Sequence, residues 1–182
     1  MSSKDTTAKP CVATIGTFDG VHRGHQFVVQ QVVNQARERG LEAVVVTFPN
    51  HPLQVLQPNL QPQMLTLSDE NEMLLQKTGV DKVVMVEFTK DLAQMSARDF
   101  MHTILQEQLN VQMLMMGYDN RFGHDHKGFD DYHRYGQELG MEVIGCNELV
   151  SEQRISSTTI RLALLRGDVE TAHALLGYHY SL

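Results

Sequence analysis

The residue types best placed for chemistry lie within ten positions, Gly16-Thr17-Phe18-Asp19-Gly20-Val21-His22-Arg23-Gly24-His25. His22 and His25 are three apart, so at the start of a helix both imidazoles face one point. Glycines at 16, 20 and 24 let backbone approach a ligand closely, and a helix start offers unpaired N–H groups and a favourable dipole to anions. Phosphate is the natural guest. Two fixed donors beside a phosphate chain suit nucleotidyl transfer, in which attack on an α-phosphate builds charge on its nonbridging oxygens and on the leaving pyrophosphate. A glycine-rich turn with two histidines also describes an ordinary tight strand-to-helix connection. The full GTFDGVH run favours phosphate binding, and neither GxxxxGK[ST] nor GxGxxG occurs elsewhere to compete for that role.

A second polar constellation, Arg154 followed by Ser157, Thr158 and Arg161 in RISSTTIR, combines hydroxyls at a helix start with guanidinium groups. Taken alone such a segment reads as an N-cap; beside the first motif it reads as a second anion cradle. The run His124-Asp125-His126 invites a metal, but three adjacent side chains in a glycine-bounded polar loop do not converge on one ion. It is read as a solvated loop or substrate clamp, and no metal ligand is assigned.

The elements that must position these groups follow a βαβ rhythm. Short β-branched runs at Val12 to Ile15, Ala43 to Phe48, Lys82 to Val86, Val111 to Met116 and Glu142 to Cys146 predict five strands. Between them, His25 to Arg39 carries Val28, Val29, Val32, Val33 and Ala36 on one helical face. Ser68 is expected to cap a helix ending near Gly79. Ser96 and Asp99 pair at the start of the next helix, with Phe100, Met101, Ile104 and Leu105 as its apolar stripe. A helix around Tyr132 to Leu139 follows the polar loop Gly117 to Gly128. Two short helices flank Gly167 and Asp168, packing through Leu162, Ala163, Leu165, Ala172, Leu175 and Leu176. The expectation is an α/β fold: a Rossmann-like, doubly wound, parallel five-stranded sheet with helices on both faces. One domain over residues 11–180 follows a polar tail at 1–10.

Composition narrows the functions. The 182 residues suffice for one domain with a real core, and 42% hydrophobic with 20% charged residues is globular composition. A net charge of −7 argues against a nucleic-acid binder. No apolar run approaches membrane-span length and the N-terminus lacks a signal core, so a cytoplasmic protein without a membrane partner is expected. Cys11 and Cys146 lack ligand or CxxC spacing and are read as packed free thiols.

With these motifs in place the chain resembles the HxGH nucleotidylyltransferases, and more closely the FAD synthetase module of bacterial bifunctional riboflavin kinase/FAD synthetases. The resemblance runs through GTFDGVHRGHQ at 16–26, TFPNHPLQVL at 47–56, GVDKVVMVEFT at 79–89, GYDNRFG at 117–123, RISSTTIR at 154–161 and LLGYHY at 175–180. It implies transfer of an adenylyl group from ATP to FMN, giving FAD and pyrophosphate, with Mg²⁺ accompanying ATP. His22, His25 and Arg161 would be catalytic; Gly16, Phe18, Gly24, Arg154, Ser157 and Thr158 would hold ATP; His51, Pro52, Asp119 and Phe122 would meet FMN. For Phe122, core packing is an equal alternative. Asn50 stands where the family carries proline, and Asn120 where it carries phenylalanine. A riboflavin kinase module follows such a segment in bifunctional relatives and is expected to be absent from these residues. Two other readings stay open: an HxGH enzyme acting on another phosphate ester, and a flavin-nucleotide binding module without turnover.

Overall fold

The computed structural model describes residues 8–181, so most of the expected polar tail, residues 1–7, lies outside the described residues. Five strands, β1 (Cys11–Ile15), β2 (Glu42–Thr47), β3 (Lys82–Met85), β4 (Val111–Met116) and β5 (Glu142–Gly145), form one parallel sheet in the order β3-β2-β1-β4-β5. Alternation sorts their side chains to two cores. Val12, Ala43, Val45, Met113 and Met115 face α1 (Arg23–Arg39) and α3 (Ser68–Gln76). Ala13, Ile15, Val44, Val46, Leu114 and Met116 face α5 (Ala97–Phe100), its π-helical continuation (Met101–Gln108) and α6 (Phe129–Leu139). The central strands β1 and β2 are buried on both faces, which explains why Val12–Ile15 and Ala43–Thr47 run without charged alternation. The doubly wound expectation is met.

Chain order decides where a ligand goes. From β1 the chain winds outward through β2 to β3, then returns to β4 on the other side of β1, so the β1/β4 boundary is a topological switch point. The crevice beyond the carboxyl ends of these strands is where such sheets bind ligands.

Several local expectations change. Two short helices, α2 (Pro52–Leu56) and α4 (Lys90–Gln94), occupy segments to which sequence patterning assigned no element. Proline at the first position of α2 and the His51 cap start a helix too short for hydrophobic periodicity to reveal. Leu67, not Ser68, occupies the cap of α3; Glu70 reaches back to the Leu67 N–H at 3.0 Å. In α7 (Ser157–Leu165) and α8 (Val169–Leu176), Ala163, Ala172, Leu175 and Leu176 are buried, whereas Leu162 and Leu165 are 47% and 69% exposed. The α7/α8 pair packs with Leu65 as a small separate cluster, and one helix face suffices to close it.

Candidate active site

The loop from Gly16 to His22 joins β1 to α1 in an uncommon backbone conformation. Phe18, Gly20 and Val21 have φ of 47°, 80° and 40°. Positive φ is strained for a β-branched residue such as Val21 and suits glycine at 20. The turn delivers His22 to the N-cap of α1, where its Nδ1 accepts the His25 N–H at 3.3 Å. An accepting Nδ1 places the proton of neutral His22 on Nε2, leaving that atom as a donor. The two rings stack at 3.5 Å with 17° between planes, and Phe18 meets His25 edge-on at 5.2 Å. Gly24 permits this arrangement: a Cβ there would lie 3.1 Å from His22 Cε1. Burial pushes His22 down to about 4, against the opposing pull of Asp19, and burial together with the neighbouring His22 holds His25 well below its ordinary range. Both imidazoles are neutral at physiological pH.

The histidines open into a cavity of about 370 Å³ at the switch point, walled by Gly16, Phe18 and Gly24 on one side and by Gly117, Tyr118 and Asp119 on the other. The Thr14 hydroxyl and His25 Nδ1 border this space as buried polar atoms without a protein partner. Two further cavities share its walls. One of about 460 Å³ lies towards residues 147–155 and includes Arg154, Ile155 and Tyr118. The other, about 580 Å³, is lined by Phe48, Phe88, Phe100 and Phe122 with Pro52 at its edge. Asp119 borders all three. A chamber bearing the two imidazoles thus lies between an aromatic chamber and a loop-walled one, a succession that suits a long ligand whose charged middle meets the histidines.

The anticipated residues divide accordingly. Gly16, Phe18, His22, Gly24 and His25 meet at the central cavity. Arg154 and Asp119, both largely exposed, approach within 3.7 Å of each other at its mouth. Pro52 and Phe122 line the aromatic cavity; Phe122 also packs on Phe100 and Tyr132 at 5.3 and 4.6 Å, so the core-packing alternative holds for a ring that also borders the cavity. His51 caps α2 through Nδ1, and burial lowers its pKa. Thr158 is exposed at the start of α7. Ser157 and Arg161 are not among the residues walling the central cavity: the Ser157 hydroxyl donates to the Asp19 carbonyl at 2.8 Å, and Arg161 binds the buried Asp19 carboxylate at 2.7 Å. His124, Asp125 and His126 form no metal site, since Asp125 accepts the Ala97 N–H and no group of three or more metal-ligating side chains occurs among the described residues.

Asp19 is the participant that sequence reasoning passed over, although it stood inside the first motif. A carboxylate in an anion-binding loop is unfavourable unless paired, and that mismatch was the one signal in the sequence for a partner. Asn50 and Asn120 also acquire roles. The Asn50 side chain exchanges hydrogen bonds with the Phe88 N–H and C=O, at 3.0 Å each, tying the loops after β2 and β3. Asn120 donates to the Ile15 carbonyl at the end of β1.

The model of a family described as FAD synthetase matches residues 4–159. The chain belongs to the FAD synthetase family. Proteins named bifunctional riboflavin kinase/FMN adenylyltransferase are similar to this FAD synthetase family member: 35% identity over 94% of this chain in Escherichia coli K12, and 38% over 92% in Pseudomonas fluorescens. The chain spans 56% and 54% of those two proteins. A crystal structure described as a macrolide-efflux protein from Streptococcus pneumoniae superposes with a TM-score of 0.84 at 32% identity, covering 94% of this chain and 65% of that one. Among the described residues of this family member, no helix is long and apolar enough to cross a membrane.

Proposed function

We propose that the chain transfers the adenylyl group of ATP to FMN. A phosphate oxygen of FMN attacks the α-phosphorus; the bond to the bridging oxygen of the β-phosphate breaks, and pyrophosphate leaves with that electron pair. The observation that carries this reading is the succession of cavities, with the histidine pair in the middle one. In this assignment the flavin ring enters the aromatic chamber beside Phe122 and Pro52, with Asp119 and His51 at its approaches. The adenosine lies towards Ile155 and Arg154, and the phosphates meet at His22, His25 and the first turn of α1.

The phosphate of FMN is anionic at neutral pH and needs no strong base, so orientation and charge stabilisation supply the acceleration. His22 Nε2–H donates as a neutral group, and first-turn N–H groups of α1 add the positive end of the helix. The cavity walls offer few carboxylates, chiefly Asp119, which fits an ion held mainly by substrate phosphates. Mg²⁺ bound with ATP supplies neutralisation of the triphosphate. In this assignment Arg154, on the wall of the loop-side cavity, and Thr158, at the exposed start of α7, bind phosphate, and a riboflavin kinase partner module remains the proposed neighbour in longer relatives.

Purified protein with ATP and Mg²⁺ is expected to release pyrophosphate only when FMN is added, with FAD appearing in equal amount by chromatography. Release that follows phosphopantetheine or nicotinate mononucleotide instead would transfer the reading to another acceptor. ATP binding without any release would leave a binding module.

A further inference from the structure

The central cavity and the aromatic cavity have five wall residues in common: Ile15, Gly16 and Thr17 at the end of β1, and Asp119 and Asn120 in the loop after β4. These two segments form the neck through which a ligand spanning both cavities must pass. A side-chain hydrogen bond ties them, Asn120 Nδ2 donating to the Ile15 carbonyl. The sheet explains why that carbonyl takes a side-chain partner. The Gly16 N–H reaches the Val46 carbonyl of β2 at 3.1 Å, so the Ile15 carbonyl of the same planar peptide points the other way, towards β4. Paired residues of β1 and β4 end at Ala13 and Leu114, and Asn120 supplies its donor just beyond that last pair. A carbonyl only accepts, so the amide nitrogen must face Ile15 and the Asn120 Oδ1 is turned away from it. That oxygen takes no hydrogen bond from a described group and keeps some exposure, as does the Thr17 hydroxyl.

We propose that Asn120 determines acceptor specificity at this neck: through Ile15 it holds the two segments together, and its Oδ1 receives a hydroxyl of the ribityl chain of FMN, with the Thr17 hydroxyl as a second contact. The link between flavin ring and phosphate is a run of hydroxylated carbons. Such a chain of donors suits open acceptors in a passage that leads from an aromatic chamber to a phosphate-binding one. Asn120 stands where the family carries phenylalanine, and a phenyl ring has no such donor or acceptor to offer, so the contact is a property of this chain and not of its motif. The inference rests on the adenylyltransferase reading and on its placement of the flavin ring.

Flavin fluorescence titrations of the purified protein compare riboflavin with lumiflavin, which has the same ring and a methyl group in place of the ribityl chain. The wild type should bind riboflavin about tenfold more tightly, the gain expected of one or two hydrogen bonds. Asn120→Ala should weaken riboflavin by about fivefold or more and lumiflavin by less than about twofold. In turnover it should raise KM for FMN by a similar factor, with KM for ATP changed less than about twofold. Asn120→Gln, which keeps the amide, should recover part of the loss. Thr17→Val removes a hydroxyl that no described group uses, so it tests the neck even where Asn120→Ala fails to fold. It should cost riboflavin about threefold and spare lumiflavin. Equal losses of both flavins in the variants, or a wild type that binds the two alike, would overturn the proposal and leave the flavin reading in place. A wild type that binds neither flavin would overturn the functional reading, and the neck with it.

Discussion

His22 is a buried histidine held neutral, and that has a measurable price in acid. Its folded pKa is about 4 against an ordinary 6.5, chiefly through burial. Between those values the unfolded chain binds more protons than the native one, so stability is unaffected above pH 7.5 and falls as pH drops through 6.5 towards 4. The shift corresponds to about 3 kcal/mol once fully developed and about 2 kcal/mol at pH 5. His22 is only 6% exposed, so solvent screening does little to reduce this. His22→Asn keeps an acceptor at the helix cap and removes the titration. Urea unfolding of both proteins at pH 7.5 and pH 5 should show the wild type losing about 2 kcal/mol more than the variant, roughly 1 M urea in midpoint. His25 titrates in both and cancels to first order; Asp81 and Asp168, held below the ordinary carboxylate range by Arg37 and Thr171, lose their contributions only at lower pH. Identical pH dependence in the two proteins would refute the claim that His22 enters the fold uncharged.

Gly24→Ala should place a methyl against the His22 ring and lower kcat at least about tenfold, while thermal unfolding moves little because alanine favours the helix by about 1 kcal/mol. Asn50→Ala leaves the Phe88 N–H and C=O without their side-chain partner; about 1–2 kcal/mol of stability should be lost in denaturant titration. Burial pushes the Cys11 and Cys146 thiols up to about 12 and about 11, so alkylation by iodoacetamide at pH 8 should be slow in the native protein and fast in denaturant.

The sheet and its principal helices were legible because their signals are local and periodic: a β-branched run buried on both faces, or Val29, Val32 and Val33 along α1, shows in the sequence whatever packs against it. The histidine cradle was legible for a related reason, since His22, Gly24 and His25 act within one turn. What sequence hid is pairing over long separations. Asp19 meets Arg161 across 142 positions, and Asn120 meets Ile15 across 105. Residue type shows that Arg161 is able to bind phosphate; only the fold shows a carboxylate already holding it. Leu162 and Leu165 were misjudged likewise, because apolar spacing marks a stripe without saying whether a neighbour covers all of it.

Three of the side chains that hold the Gly20 turn, Ser157, Arg161 and Tyr178, come from α7 and the segment after α8, although the turn itself lies within the first two dozen residues. A ribosome therefore makes His22 and His25 long before it makes Ser157, Arg161 and Tyr178. Strand β1 and helix α1 can begin to order while the chain is still growing, but the turn between them has only Gln26, Leu65 and Thr66 to hold its left-handed backbone until those last residues have emerged. The first chemical groups to be synthesised are the last to be aimed.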